Sequence, residues 1–141
     1  MELHPYQRRV NYYETDQMSI VHHSNYIRWF EEARLDFLDQ AGLNYRKMEA
    51  TGIIVPVVDV SCRYHVSVRY DDVVDIYPKL VEYNGVKMTY RYEVRFHDTG
   101  VLAADGASSH CFLDEKRRPI ILRRREPEID ARLRELVVKN T

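Results

Sequence analysis

The chain has 141 residues, 45% of them hydrophobic, and a formal net charge of -1 with both signs interleaved. That length and apolar fraction fit one domain, residues 1–141, and exclude a disordered chain; the even charge leaves no general footprint for nucleic acid. Cys62 and Cys111 stand alone rather than in a cluster, and the longest apolar run, Ile53 to Val58, is broken by Pro56, so neither a disulfide framework, a zinc knuckle, a secretory signal nor a membrane span is expected, and the compartment expected is the cytoplasm.

Residues 8–14 read as a first strand with Val10 and Tyr12 on one face. A polar stretch from Glu14 to Ser19 follows, then Ile20-Val21-His22-His23, after which Ser24 or Asn25 can cap a helix. The helix is predicted over about 25–41. Tyr26, Phe30, Ala33, Phe37 and Ala41 recur at spacings of three and four, Trp29 and Leu38 widen the stripe, and Gly42 stands where a left-handed cap belongs. Such a helix is ~25 Å long at ~1.5 Å per residue. The pattern then changes to period two. Val60, Cys62, Tyr64, Val66, Val68 and Tyr70 predict a long strand with one buried face. Residues 73–82 form the next strand, where Pro78 suggests an edge or a bulge. Asn84-Gly85 signals a hairpin, Met88 to Phe96 alternate cleanly, and Asp98-Thr99-Gly100 is a second turn. A last long strand over 101–113, a basic turn, and a short helix over 127–138 opened by Pro127 complete the chain.

One helix with a wide apolar stripe needs a surface to cover it, and a long antiparallel sheet with one apolar face supplies one. The expected fold is therefore α+β: the hotdog arrangement, a long central helix wrapped by a mainly antiparallel sheet of about five strands. One helix does not cover the whole sheet, so a homodimer pairing sheets edge to edge, assembling to a homotetramer, is expected.

The segment from Tyr12 to Tyr26 carries the chemistry. It sets a carboxylate, a loop and a histidine immediately before a helix. A helix start offers unpaired N–H groups and roughly half a unit of positive charge. It can hold a carbonyl oxygen and stabilise the charge that develops there during attack. Asp16 can fold back beside this end, where the same field favours the ionised carboxylate. A thioester suits this equipment, because its thiolate leaving group has a conjugate acid of pKa about 8.5, which makes a strong general acid less necessary than for an amide or an alkyl ester.

Tyr12, Glu14, Thr15, Asp16, Ile20, Val21, His22, His23 and Tyr26 follow a signature Tyr-x-(Asp/Glu)-Thr-Asp-x-x-Gly-(Val/Ile)-Val-(Tyr/His)-His-x-x-Tyr. With Phe30-Glu31-Glu32-Ala33-Arg34 and Tyr70-Asp71-Asp72, they make the sequence resemble the 4-hydroxybenzoyl-CoA thioesterase-like family of hotdog acyl-CoA thioesterases, specifically its Tol-Pal-associated bacterial branch. The resemblance spans about residues 6–125. It implies hydrolysis of an acyl-CoA to a free acid and coenzyme A, with Asp16 as the catalytic carboxylate. It also implies that the backbone N–H near His23 binds the thioester carbonyl. His23 and Tyr12 match positions that the family assigns to the site, and Ser24 and Tyr26 would flank the substrate beside His23. Ser19 departs from the pattern, standing where the family has glycine; a positive φ there would strain it.

Other readings of the same residues are blander. Asp16 could cap a turn, His23 could serve through its amide alone, and Tyr12 could simply pack. His22 and His23 are adjacent and lack a partner at ligand spacing, so no metal is expected, and no cofactor beyond the coenzyme A of the substrate. Glu31 and Glu32 read as a solvated face or a subunit contact, and Cys111 as a buried strand residue. No GxSxG elbow is present. Lys116-Arg117-Arg118 and Arg123-Arg124-Arg125 could clamp coenzyme A phosphates or be plain charged surface. The rival functions on this fold are a non-catalytic acyl-CoA or acyl-carrier-protein binding module, which would not need Asp16, and a hydroxyacyl-thioester dehydratase, which would want a His base paired with an acid across the groove.

Overall fold

In the computed structural model, which describes residues 3–137, one five-stranded antiparallel sheet of order β1-β3-β4-β5-β2 carries a single long helix. The strands are β1 Tyr6–Arg9, β2 Val57–Tyr64, β3 Val73–Tyr83, β4 Lys87–Phe96 and β5 Leu102–Cys111. The helices are α1 Ser24–Gln40, α2 Tyr45–Ala50, α3 Leu122–Arg125 and α4 Pro127–Leu136. The short helices α2 and α3 carried no periodic signal. The predicted last residue of α4, Val138, lies outside the described residues. No helix among the described residues is long and apolar enough to cross a membrane.

Helix α1 buries Tyr26, Trp29, Phe30, Ala33, Phe37 and Leu38, the stripe its periodicity predicts. Gly42 ends it at φ +82, and the Leu43 N–H reaches back to the Leu38 carbonyl at 2.8 Å, closing the last turn. The stripe meets aromatic residues of β4: Phe30 stacks on Tyr92 with ring centroids 4.3 Å apart, and Phe37 meets Tyr90 edge-on at 5.9 Å. Gly106 on β5 makes this approach possible, because a side chain there would collide with the Phe30 ring and the Ser61 carbonyl.

The meander β3-β4-β5 follows the two predicted turns. The Asn84 side chain accepts the N–H groups of Val86 and Lys87, while Gly85 sits at φ +86. Pro78 pairs with Tyr92 of β4, but β1 reaches only as far as Ile76 on the other side of β3. Pro78 therefore lies past the end of β1, where no ladder bond needs its missing N–H, just before a register shift at Leu80/Glu82.

A chain of polar groups crosses the core behind α1. Arg34 donates to the Tyr92 hydroxyl (3.1 Å), which bonds Ser108 (2.6 Å), which bonds His110 (2.8 Å). Burial, aided by the nearby Arg34 cation, pushes His110 down to about 4 and keeps its ring neutral.

Two predictions fail here. The first strand ends at Arg9, and Tyr12 lies in a 3-10 turn, Tyr12–Glu14, rather than on a strand. Strand β2 spans Val57–Tyr64 instead of running to Tyr70, and its apolar residues are largely uncovered among the described residues: Val57, Val58, Val60 and Tyr64 are exposed, while Cys62 is partly buried against the core. β2 is the sheet's edge beside β5, and no strand among the described residues lies beyond it.

Candidate active site

The loop before α1 is closed by a bridge between Thr15 and Val21 and by the Asp16 N–H bonding the Ile20 carbonyl at 2.9 Å. Glu14 holds its base. The buried Glu14 carboxylate accepts the Asn11 N–H, the Arg8 guanidinium and the Trp29 indole N–H, each at 2.8 Å. Its carbonyl accepts the His22 N–H (2.8 Å) and the Asn25 side-chain amide (2.9 Å). One residue thus ties β1, the loop and the start of α1 together. Burial alone would raise the Glu14 carboxyl, but the Asn11 N–H, Arg8 and Trp29 outweigh it and hold the group below its ordinary range.

The helix start is not capped as expected. Asn25 turns back to Glu14, Ser24 Oγ bonds His22 Nδ1 at 2.8 Å, and the N-cap residue is His23, with no side-chain cap bond. The Tyr64 hydroxyl pins the His23 carbonyl at 3.1 Å. Burial pushes Tyr64 up to about 12, so it stays a donor. The His23 N–H has no acceptor among the described residues.

In the loop, Asp16 accepts the Met18 N–H through Oδ1 at 2.8 Å, and its Oδ2 has no partner among the described residues. Ser19 follows at φ +64, the left-handed conformation expected for glycine at this position. An ordinary residue pays roughly 1–2 kcal/mol there, more than the 0.4–1 kcal/mol that a glycine loses through the freer unfolded chain. Ser19→Gly is therefore expected to raise stability by about 0.5–1 kcal/mol in urea unfolding, with turnover unchanged. An unfolding midpoint equal to or below wild type would show that the loop carries no such strain.

Asp16, His23, Tyr26, Tyr64 and His65 line one pocket of about 200 Å³, between the loop, the start of α1 and the end of β2. Asp16, with one carboxylate oxygen unengaged, and His23, with an unengaged backbone donor at a positive helix end, both line this space. That is the equipment for attack on an acyl carbon whose oxygen is held by main chain. Three of the five expected site residues meet here: Asp16, His23 and Tyr26. Two do not line it. Tyr12 is exposed at the surface, edge-on against Tyr70 at 5.6 Å, and Ser24 is exposed and bonded to His22. The 3-10 turn, absent from the alternation, swings Tyr12 outward.

Tyr64 and His65 carried no site signal in the sequence, where they read as successive residues on opposite faces of a strand. Both line the pocket because β2 stops at Tyr64. The N–H groups of His65 and Val66 both point to the Ala103 carbonyl, so strand alternation is lost there. Of the basic groups, Arg118 pairs with Asp114 (3.2 Å) and Arg125 with Glu115, which engages these two with the chain's own acids.

Comparison with known proteins agrees with this architecture. A protein from Aquifex aeolicus, provisionally named an esterase, is 42% identical over 108 residues, covering 77% of this chain and 83% of its own. YneP from Bacillus subtilis, provisionally named an acyl-CoA thioesterase, is 36% identical over 84% of this chain and 86% of its own. The solved DHNA-CoA thioesterase of Staphylococcus aureus superposes with a TM-score of 0.88 at 33% identity, over 92% of this chain and 87% of that one. The family model of the thioesterase-like superfamily matches residues 10–137, which takes in the loop, the helix and all but the first strand, and the chain belongs to that superfamily.

Proposed function

We propose that the protein hydrolyses an acyl-CoA thioester to a carboxylic acid and coenzyme A. The observation that carries this reading is the pocket that Asp16 and His23 share, with one Asp16 carboxylate oxygen and the His23 N–H unengaged. The thioester carbonyl oxygen accepts the His23 N–H, and the α1 dipole favours the oxyanion that forms. Asp16 Oδ2 attacks the acyl carbon or takes a proton from an attacking water. Tyr26 and Tyr64, in edge-on contact at 4.9 Å, wall the pocket beside the acyl group. The reaction needs no metal and no redox cofactor. The names of the relatives and of the Staphylococcus aureus structure support the substrate class. The Tyr12–Tyr26 motif supports the narrower placement, in the 4-hydroxybenzoyl-CoA thioesterase-like branch of the hotdog fold and its Tol-Pal-associated group. The experiment is thiol release from acetyl-, hexanoyl-, palmitoyl- and benzoyl-CoA. Hydrolysis of at least one, dependent on Asp16, is the expected result; no release from any would overturn the reading.

The assembly belongs to the same proposal. Val57, Val58 and Val60 leave an apolar edge strand uncovered beside the site. An exposed edge of this kind is a template for another strand, and a second copy of the chain supplies it. A homodimer, pairing into a homotetramer in the cytoplasm, is the arrangement we infer. Val58→Lys together with Val60→Lys is expected to give a monomer in sedimentation velocity; wild-type protein that already sediments as a monomer would rule the interface out.

A further inference from the structure

The pocket holds a second titratable group that the attack on the carbonyl does not use. His65 lines it opposite the loop, and its Nε2 lies 2.7 Å from Asp105 Oδ2 on β5. A carboxylate only accepts, so Nε2 carries a proton, and Nδ1 is left as the atom that exchanges one. Asp105 fixes the tautomer and the orientation of the ring, as a carboxylate does behind a working histidine. Both side chains are about two-fifths exposed, 40% and 38%, so the ring can be reprotonated from water. The charged and titratable groups that share the pocket or pair with it are Asp105 from β5, Tyr64 from β2, Tyr26 from α1, and Asp16 and His23 from the loop and the helix start.

We propose that His65, oriented by Asp105, is the general acid that protonates the departing coenzyme A sulfur. The inference rests on the thioester-hydrolase reading. As the acyl carbon–sulfur bond breaks, its electron pair passes to sulfur, and the proton on His65 Nδ1 moves to that sulfur, releasing a neutral thiol. The water that completes hydrolysis forms the new carbon–oxygen bond and gives up its protons. One restores the His65 imidazolium, and the balance is one carboxylate, one thiol and one proton released. Asp16 supplies the attack and His65 the exit, so each group has its own half of the bond exchange.

Leaving-group dependence separates this role from packing. The acyl group best hydrolysed in the panel is made both as its CoA thioester and as its S-phenyl thioester, whose aryl thiolate leaves without a proton. His65→Gln, which changes a half-exposed side chain, is expected to lower turnover of the CoA thioester by roughly a hundredfold, and that of the S-phenyl thioester by less than about threefold. Asp105→Asn moves the same ratio in the same direction by about tenfold. Equal losses on both substrates would reduce His65 to a packing role, and no loss on either would remove it from the reaction; both outcomes overturn the inference. Asp16→Asn serves as the control. It slows both substrates if Asp16 supplies the attack, and if it leaves both rates intact, the role of Asp16 fails rather than that of His65; no thiol release from either substrate by wild type would overturn the hydrolase reading itself.

Discussion

Asp16→Asn is expected to lower turnover by about a hundredfold or more while the protein remains folded. Positioned proton transfer contributes about 10²–10⁴ to rate, and a hundredfold corresponds to roughly 2.7 kcal/mol of lost transition-state stabilisation. The substitution is clean because of what Asp16 does structurally. Its Oδ1 accepts the Met18 N–H, and the asparagine carbonyl oxygen accepts the same bond. Its Oδ2, which bonds nothing among the described residues, becomes an amide that neither attacks nor takes a proton. The loop is also held independently, by the Thr15–Val21 bridge and the Asp16 N–H to the Ile20 carbonyl. The loss should therefore fall on kcat, with KM changed little. Thiol release under saturating acyl-CoA, alongside a thermal melt, separates the two. Wild-type turnover in the variant would remove Asp16 from the chemistry.

Glu14→Ala is expected to cost about 3–5 kcal/mol of stability, the range for removing one partner of a buried charge pair. A domain of this size has about 5–15 kcal/mol in total, so this is a large share. The loss is large because three donors converge on a carboxylate whose side chain is 3% exposed: Arg8, the Trp29 indole and the Asn11 amide. Alanine leaves all three without their acceptor. Glu14→Gln keeps the shape but turns a donor toward donors, and should lose part of the same amount.

The pH dependence follows from the direction of the shift. The folded carboxyl is held below its ordinary value of 4.5. Its contribution is then fully present above that value and is lost as pH falls through the lower, folded value. Wild type should lose stability in acid more steeply than Glu14→Gln, with the two curves approaching each other below pH 4.5. Urea unfolding from pH 7 to pH 3 reads this; parallel curves would contradict it.

Much of this molecule is local and could be read along the chain. The phase of α1, its ending at Gly42, the Asn84-Gly85 hairpin and the placing of Asp16 before a helix start all depend on residues within a few positions of one another. A helix repeats its burial every three or four residues, and a turn is decided by the conformations its own side chains permit. The positive φ of Ser19 was signalled by the family resemblance instead, through a serine standing where the family has glycine.

What only the tertiary structure decided is which separate segments meet. Alternation in β2 showed an apolar face but not whether this chain covers it; the strand order leaves β2 at the edge with its valines exposed. Glu14 looked like one motif carboxylate among several until Arg8 and Trp29 closed on it. His65 finds Asp105 forty residues away through the β2–β5 register and the break after Tyr64. Tyr12 was placed by a turn that strand alternation does not foresee. Periodicity in a sequence reports which way a side chain faces relative to its own backbone. What it faces depends on how distant segments pack, and on that packing the working groups of this site depend.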